Sequence, residues 1–135
     1  MNILFFLIPK SEIAYIFDHH SVRQAMEVME YHKYSSIPIL SKDGKYEGSL
    51  TEGDLLWGLK KNGNPGLKET EKISIMDIER RLDYKSVTAD SSMKDLVTKA
   101  MDQNYVPVVD GQDNFIGIIT RKDIIGYCFE NMKDV

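Results

Sequence analysis

The chain has 135 residues, enough for one compact body or two small units sharing a core and too few for two independent full-sized domains. Its 42% hydrophobic and 28% charged residues belong to a chain that folds, far from the low-hydrophobicity composition of disordered segments. With 17 Lys and Arg against 21 Asp and Glu, a net charge of −4 and no block of basic residues, it is poorly suited to neutralising a nucleic-acid backbone, so no nucleic-acid partner is expected.

In chain order, the first apolar run is Ile3-Leu4-Phe5-Phe6-Leu7-Ile8. A bilayer span needs roughly 20 apolar residues and a secretory core about 7 to 15, and here Pro9-Lys10-Ser11-Glu12 follows instead. The run reads as a segment docking on the core, with a membrane-associated role as the alternative, and no membrane partner is expected. Ala14 to Phe17 is a short strand. Val22, Ala25, Met26 and Met29 then stand at helical spacing behind the capping residue Ser21.

Two strands follow, Ile37 to Leu40 and Tyr46 to Leu50, around the hairpin signal Asp43-Gly44. A second helix runs through Leu55, Leu56 and Leu59 towards Gly63. Lys60 to Lys72 is polar and contains Asn62-Gly63-Asn64-Pro65-Gly66, the composition of a surface linker.

The same order then returns. Ser86 to Thr88 is a strand, Met93, Leu96, Val97, Ala100 and Met101 mark one helical face, and the Asp90-Ser91-Ser92 cluster supplies its cap. Val106 to Val109 leads through Gly111-Gln112-Asp113-Asn114 to a strand ending at Thr120, and a last helix carries Ile124, Ile125, Tyr127, Cys128 and Phe129.

These elements form an internal repeat, which decides the fold class. Pro38, Gly48, Thr51 and Asp54 recur as Pro107, Gly117, Thr120 and Asp123 with one constant offset, and Ile16 and Val22 match Val87 and Met93. Leu4 to Leu7 matches Ile75 to Ile78 more loosely. The expected fold is α/β, two β-α-β-β-α repeats related by a pseudo-two-fold axis and packed as one sandwich-like module, since neither repeat alone covers both faces of its sheet. The division is residues 1–61 for the first repeat with its docking segment, 62–72 for the linker and 73–135 for the second repeat.

The local feature richest in chemistry is Gly-x-x-Thr-x-x-Asp at a strand-to-helix junction, present as Gly48 to Asp54 and Gly117 to Asp123. Thr-x-x-Asp approximates a capping box, in which the acid bonds back to the cap's N–H. The same geometry suits a ligand: a helix start offers N–H groups to phosphate, a carboxylate accepts from a ribose diol, and glycine admits close approach to the backbone. The two readings compete mainly for the Asp.

The doubled pattern of apolar-Pro-apolar-apolar, hairpin and Gly-apolar-apolar-Thr-x-x-Asp resembles the CBS domain pair, or Bateman module, over about residues 4–131. Such pairs bind AMP, ADP, ATP, S-adenosylmethionine or cyclic di-AMP in two clefts between the repeats, and the resemblance implies an adenine nucleotide ligand. It places Thr120, Arg121, Lys122, Ile118, Asn104 and Tyr105 around Asp123, with Tyr34, Ser35 and the backbone near Ala14. Around Asp54 it places Thr51, Ser49, Ser35, Ser36, Tyr105 and the backbone near Lys85. Arg121-Lys122 stands where the other copy has Glu52-Gly53, so the Asp123 cleft is expected to take the phosphorylated ligand and the Asp54 cleft to be weaker. The resemblance also implies a homodimer and a regulatory output through a separate effector protein, and the Leu7-Ile8-Pro9-Lys10 opening is similar to small bacterial CBS proteins associated with cyclic di-AMP. The alternative is a structural or interaction module whose clefts have degenerated.

No enzymatic set emerges. His19 and His20 are adjacent in a turn without cysteines or patterned acids, so no metal site is expected, and Cys128 reads as core packing on the last helix. A single cysteine also fits a reducing cytoplasm. Tyr31 and Tyr34 beside His32 are candidates for stacking on a base, and Trp57 reads as a packing residue at an interface.

Overall fold

A computed structural model describes residues 2–132; Met1 and residues 133–135, the outer ends of the two repeats as drawn above, lie outside the described residues. Among the described residues, the four helices and six strands anticipated form in the expected order, and a seventh strand forms in the N-terminal docking segment. Helix α1 (Val22–His32) starts at a complete capping box: Ser21 Oγ accepts the Gln24 N–H at 3.2 Å and Gln24 Oε1 accepts the Ser21 N–H at 2.8 Å. It buries Val22, Ala25 and Met29 and stops at Lys33, whose φ of 58° is left-handed.

Helix α3 (Met93–Ala100) is the counterpart, and Ser92 is the cap chosen from its cluster, with Asp95 closing the box. Its buried face is narrower than the spacing suggested. Leu96 and Ala100 are buried, whereas Val97 is exposed and Met101 is 78% exposed, because the helix ends at Ala100 and Met101 lies beyond its last turn.

Strand β2 (Ile16–Phe17) runs parallel to β3 (Ser36–Leu40), which pairs antiparallel with β4 (Tyr46–Thr51). In the other sheet β5 (Val87–Thr88) is parallel to β6 (Tyr105–Val109), and β6 pairs antiparallel with β7 (Phe115–Thr120). Both hairpins carry a register shift at matching points, Ile39/Leu40 and Val108/Val109. The tight turns need positive φ, taken by Gly44 in one and Asp113 in the other. All five residues of each central strand are buried, as expected of a strand covered on both faces. Helices α2 (Glu52–Lys61) and α4 (Arg121–Glu130) follow directly from β4 and β7.

The second sheet has a fourth strand, β1 (Ile8–Pro9), antiparallel to β7 with Ile8 opposite Ile118 and Pro9 opposite Gly117. This strand reveals how the compact units are composed. One unit is Ala14–Asp83; the other joins the segment through Ile13 to the chain from Tyr84 onward. The boundaries at 61 and 73 divide the sequence into repeats, whereas the compact units exchange the segments that precede each repeat.

The exchange has an apolar cause. Ile75 and Ile78 complete the first unit's core with Ile16, Val22, Ile37 and Leu50. Ile3 joins Leu96, Val106, Ile119 and Ile124 in the second unit's core. Each such side chain contributes about 1.5–3 kcal/mol when buried. Both segments form single 3₁₀ turns, Ile3–Phe6 and Ile75–Asp77, capped by the side chains of Asn2 and Ser74. Structure therefore pairs Ile3 with Ile75, one residue away from the sequence match of Leu4 with Ile75.

The polar linker is also shorter than its composition suggested. Glu69–Lys72 forms a 3₁₀ turn in which Thr70 is buried and its hydroxyl donates to the Leu67 carbonyl. Beyond it the Val22 N–H donates to Ile73 O at 2.7 Å and the Ile75 N–H to His20 O at 3.1 Å, tying the segment to the start of α1. No helix of the described residues is long and apolar enough to cross a membrane.

Candidate functional site

The two Thr-x-x-Asp junctions share a backbone frame. Thr51 caps α2 and Thr120 caps α4, their hydroxyls accepting the Asp54 N–H at 3.0 Å and the Asp123 N–H at 3.2 Å. The first amide of each helix is also used: the Glu52 N–H donates to Ser35 O at 3.0 Å and the Arg121 N–H to Asn104 O at 2.9 Å. An incoming phosphate therefore finds fewer unused amides than a generic helix start offers.

The carboxylates differ. Asp54 is only 2% exposed and both oxygens are engaged, Oδ2 by the Thr51 N–H at 3.0 Å and Oδ1 by the Arg81 N–H at 2.9 Å. Asp123 is exposed, makes no return bond to Thr120, and its carboxylate accepts no hydrogen bond among the described residues. One box is closed on its own chain, and the other is left half-made.

The glycines do not hold the backbone open for a ligand. A Cβ on Gly117, whose φ is 156°, would collide with the Ile8 carbonyl oxygen of β1. A Cβ on Gly48, whose φ is 147°, would lie 2.5 Å from Asp83 Oδ1 and 3.0 Å from Arg80 Nε. At Gly117 the clearance is filled by the backbone of β1, which corrects the reading of that glycine as a place for ligand approach, whereas at Gly48 it is filled by the side chains of Arg80 and Asp83. Ile118 is half-buried opposite Ile8 in the β1–β7 ladder. Ser49 is buried, its N–H donating to Asp83 Oδ1 at 3.1 Å and its hydroxyl lying 2.8 Å from the Tyr46 hydroxyl.

The flanking candidates divide by unit. In the first, Ser35 is exposed, Ser36 is buried in β3, and Tyr34 is half-buried with its hydroxyl accepting the Ala14 N–H at 3.3 Å. In the second, Asn104 is exposed with its N–H donating to the Tyr84 hydroxyl at 3.1 Å. Tyr105 is 5% exposed, its ring edge-on to Tyr84 with centroids 4.9 Å apart, so it is a packing residue in its own unit. Its expected place beside a base is not supported by that burial.

Gln103 was not among the residues singled out from the sequence. It is buried, and its amide clasps the Lys85 backbone: Oε1 accepts the Lys85 N–H at 2.8 Å while Nε2 donates to Lys85 O and to Tyr105 O, both at 3.1 Å. The Lys85 backbone expected to face a ligand is thus already paired. A signal was available in the sequence, because Gln103 and Tyr34 stand at the same offset as the other repeated residues.

Arg121 is tethered through its Nε. Its Nε donates to Ala100 O at 2.7 Å and Gln103 O at 3.0 Å, the carbonyl end of α3, where a cation answers the negative end of the helix dipole. Lys122 is exposed and forms no ion pair among the described residues. Of the two cations anticipated beside a phosphate, Arg121 is held by the backbone and Lys122 remains available.

The other candidates are local. His20 Nδ1 accepts the Phe17 N–H at 3.2 Å, and burial, then the neighbouring His19, holds its pKa below the ordinary 6.5. No cluster of three or more His, Cys, Asp or Glu among the described residues is arranged to hold a metal ion. Tyr31 and His32 are exposed. Cys128 is half-buried in an apolar groove with Phe129 and Ile125. Trp57 is 47% exposed, with Lys60 Nζ 5.5 Å and the Arg81 guanidinium 5.9 Å from its ring.

The sequence pattern described as CBS domain matches residues 7–61 and 75–130. None of the curated proteins matches the chain. Among solved structures, a CBS domain protein from Streptococcus pneumoniae TIGR4 is similar with a TM-score of 0.84 and 23% identity, covering 96% of this chain and 88% of that one. CbpB from Listeria monocytogenes, in complex with c-di-AMP, has a TM-score of 0.74 and 21% identity over 92% of each chain. CBSX2, in complex with AMP, has a TM-score of 0.75 and 19% identity over 96% of each chain. Likeness at these identities is likeness of fold.

Proposed function

Because the chain belongs to the CBS domain family, we propose that it is a regulatory binder of an adenine nucleotide, of the class AMP, ADP, ATP or cyclic di-AMP, with its primary station at the start of α4. The observation that carries this reading is the exposed Asp123 carboxylate, without a hydrogen-bond donor among the described residues, next to the available cation Lys122. An ionised carboxylate accepts from a ribose diol through charge-assisted bonds, and an ammonium beside it compensates phosphate. Thr120, with Asp123, frames the station, and Asp54 forms a second, weaker one. AMP in CBSX2 and c-di-AMP in CbpB support the ligand class.

A sensor transmits only through states that bind its ligand unequally, so the nucleotide must favour one arrangement of the chain, which a partner protein reads. A second copy of the chain is the proposed neighbour of the helical grooves, one of them lined by exposed Met101, Ile125 and Phe129.

Thermal melting with AMP, ADP, ATP and cyclic di-AMP tests the proposal. Ligand at about 100 times Kd should stabilise the fold by about 2.7 kcal/mol. Asp123→Ala should abolish that shift, whereas Asp54→Ala should retain most of it relative to its own unliganded midpoint. Equal losses in the two variants contradict the assignment of a primary station, and no shift with any nucleotide favours a module with degenerate clefts.

A further inference from the structure

We propose that residues 79–83 form an internal strap that occupies the Asp54 station and competes with nucleotide there, so that this station opens only when the strap lets go. The inference rests on the nucleotide-binding reading above. The strap is fastened at both ends to the groups that reading assigns to the ligand. The Arg81 N–H takes the Asp54 oxygen that would otherwise face a ribose diol, at 2.9 Å. Two residues on, Asp83 Oδ1 accepts the Ser49 N–H at 3.1 Å and lies over Gly48.

Side chains add to the hold. Arg80 Nε lies 3.2 Å from Asp83 Oδ1, Lys61 Nζ lies 3.3 Å from Glu79 Oε2, and the Arg81 guanidinium lies over Trp57. The Lys61 and Glu79 side chains are each 76% exposed, so that pair adds little, and beyond the apolar core from which it emerges at Ile78 the strap hangs mainly on its bonds to Asp54 and Ser49. With the Arg81 N–H on Oδ1 and the Thr51 N–H on Oδ2, Asp54 is only 2% exposed, so a ribose reaches the carboxylate only when the strap withdraws, and strap and ribose are alternatives. In the second unit the corresponding segment runs as β1 along β7, and no amide from it engages Asp123 among the described residues. The competition is therefore confined to Asp54.

The reporter is built in, since Trp57 is the chain's single tryptophan and packs against Arg81. In the ligand-free protein, Asp83→Ala should speed hydrogen exchange at the Ser49 and Arg81 amides by roughly tenfold or more while leaving the Asp123 amide unchanged. It should also shift Trp57 emission. Titration with AMP should show a first event silent at Trp57 and a second, at higher concentration, that changes its emission. Asp83→Ala should lower the concentration needed for the second event by about tenfold, because apparent affinity scales with the open fraction. Asp83→Asn, which keeps an acceptor for Ser49, should lie between wild type and Asp83→Ala.

Unchanged exchange at Ser49 and Arg81 in Asp83→Ala overturns the strap. Faster exchange with an unmoved second midpoint overturns the competition while leaving the Asp123 station intact. Absence of any AMP binding in wild type and variant overturns the functional reading and the competition together.

Discussion

The starts of α2 and α4 are built from the same Thr-x-x-Asp and end in opposite chemical states. At α2 the acid is buried and shared between the helix cap and Arg81; at α4 it is exposed and bound to neither. The difference lies outside the motif. Residues 79–83 bring a donor to Asp54, whereas the segment before the other compact repeat is spent on a strand that pairs with β7. A repeated motif thus supplies one stabilising knot and one available carboxylate.

That contrast is most directly broken by comparing the stabilities of the two alanine variants without ligand. Asp54→Ala strands two donors in a buried setting and should cost about 3 kcal/mol in urea unfolding at neutral pH, whereas Asp123→Ala should cost about 0.5 kcal/mol. Similar losses at the two positions would show that the acids do equivalent work.

Next in size is the split between adjacent cations. Arg121→Ala removes two bonds to the carbonyl end of α3 and should cost about 1–2 kcal/mol in the same unfolding measurement. Lys122→Ala should leave stability within about 0.5 kcal/mol and weaken nucleotide binding several-fold, in a manner that salt diminishes. If Arg121→Ala instead matched Lys122→Ala in both measurements, the α3 tether would not be its role.

The smallest expected effects separate the units by pH. His20 titrates below its ordinary 6.5, first because it is buried and second because His19 is near, so its neutral form belongs to the folded state. Its contribution is present above 6.5 and is lost as pH falls through the folded value. Asp95 is held below 3.8, first by the Ser92 backbone N–H and then by the Ser92 side chain, and its contribution is present above 3.8 and is lost at lower pH. Melting against pH should show His20→Asn flattening the upper window and Asp95→Asn the lower one. The first unit would then respond to mild acid before the second.

Much of the architecture was legible because it rests on short-range chemistry. Ser21 and Thr51 sit where an orphan amide needs an oxygen, and the unbroken apolar runs around Pro38 and Pro107 mark the central strands. The roles of Arg121 and Tyr105 were not, because each is decided by a partner distant in sequence: the Ala100 carbonyl and the Tyr84 ring. Gln103 escaped for the same reason, since its clasp on Lys85 closes across a helix.

By itself the sequence determined that there are two repeats, where their helices begin and that the second helix of each repeat carries a carboxylate in its first turn. Tertiary structure alone decided which segment completes which core and, with that, which carboxylate stays open. The physical reason is that a capping box is a local hydrogen-bonding choice, whereas the second donor to Asp54 arrives from Arg81, held in reach because Ile75 and Ile78 bury themselves beneath it.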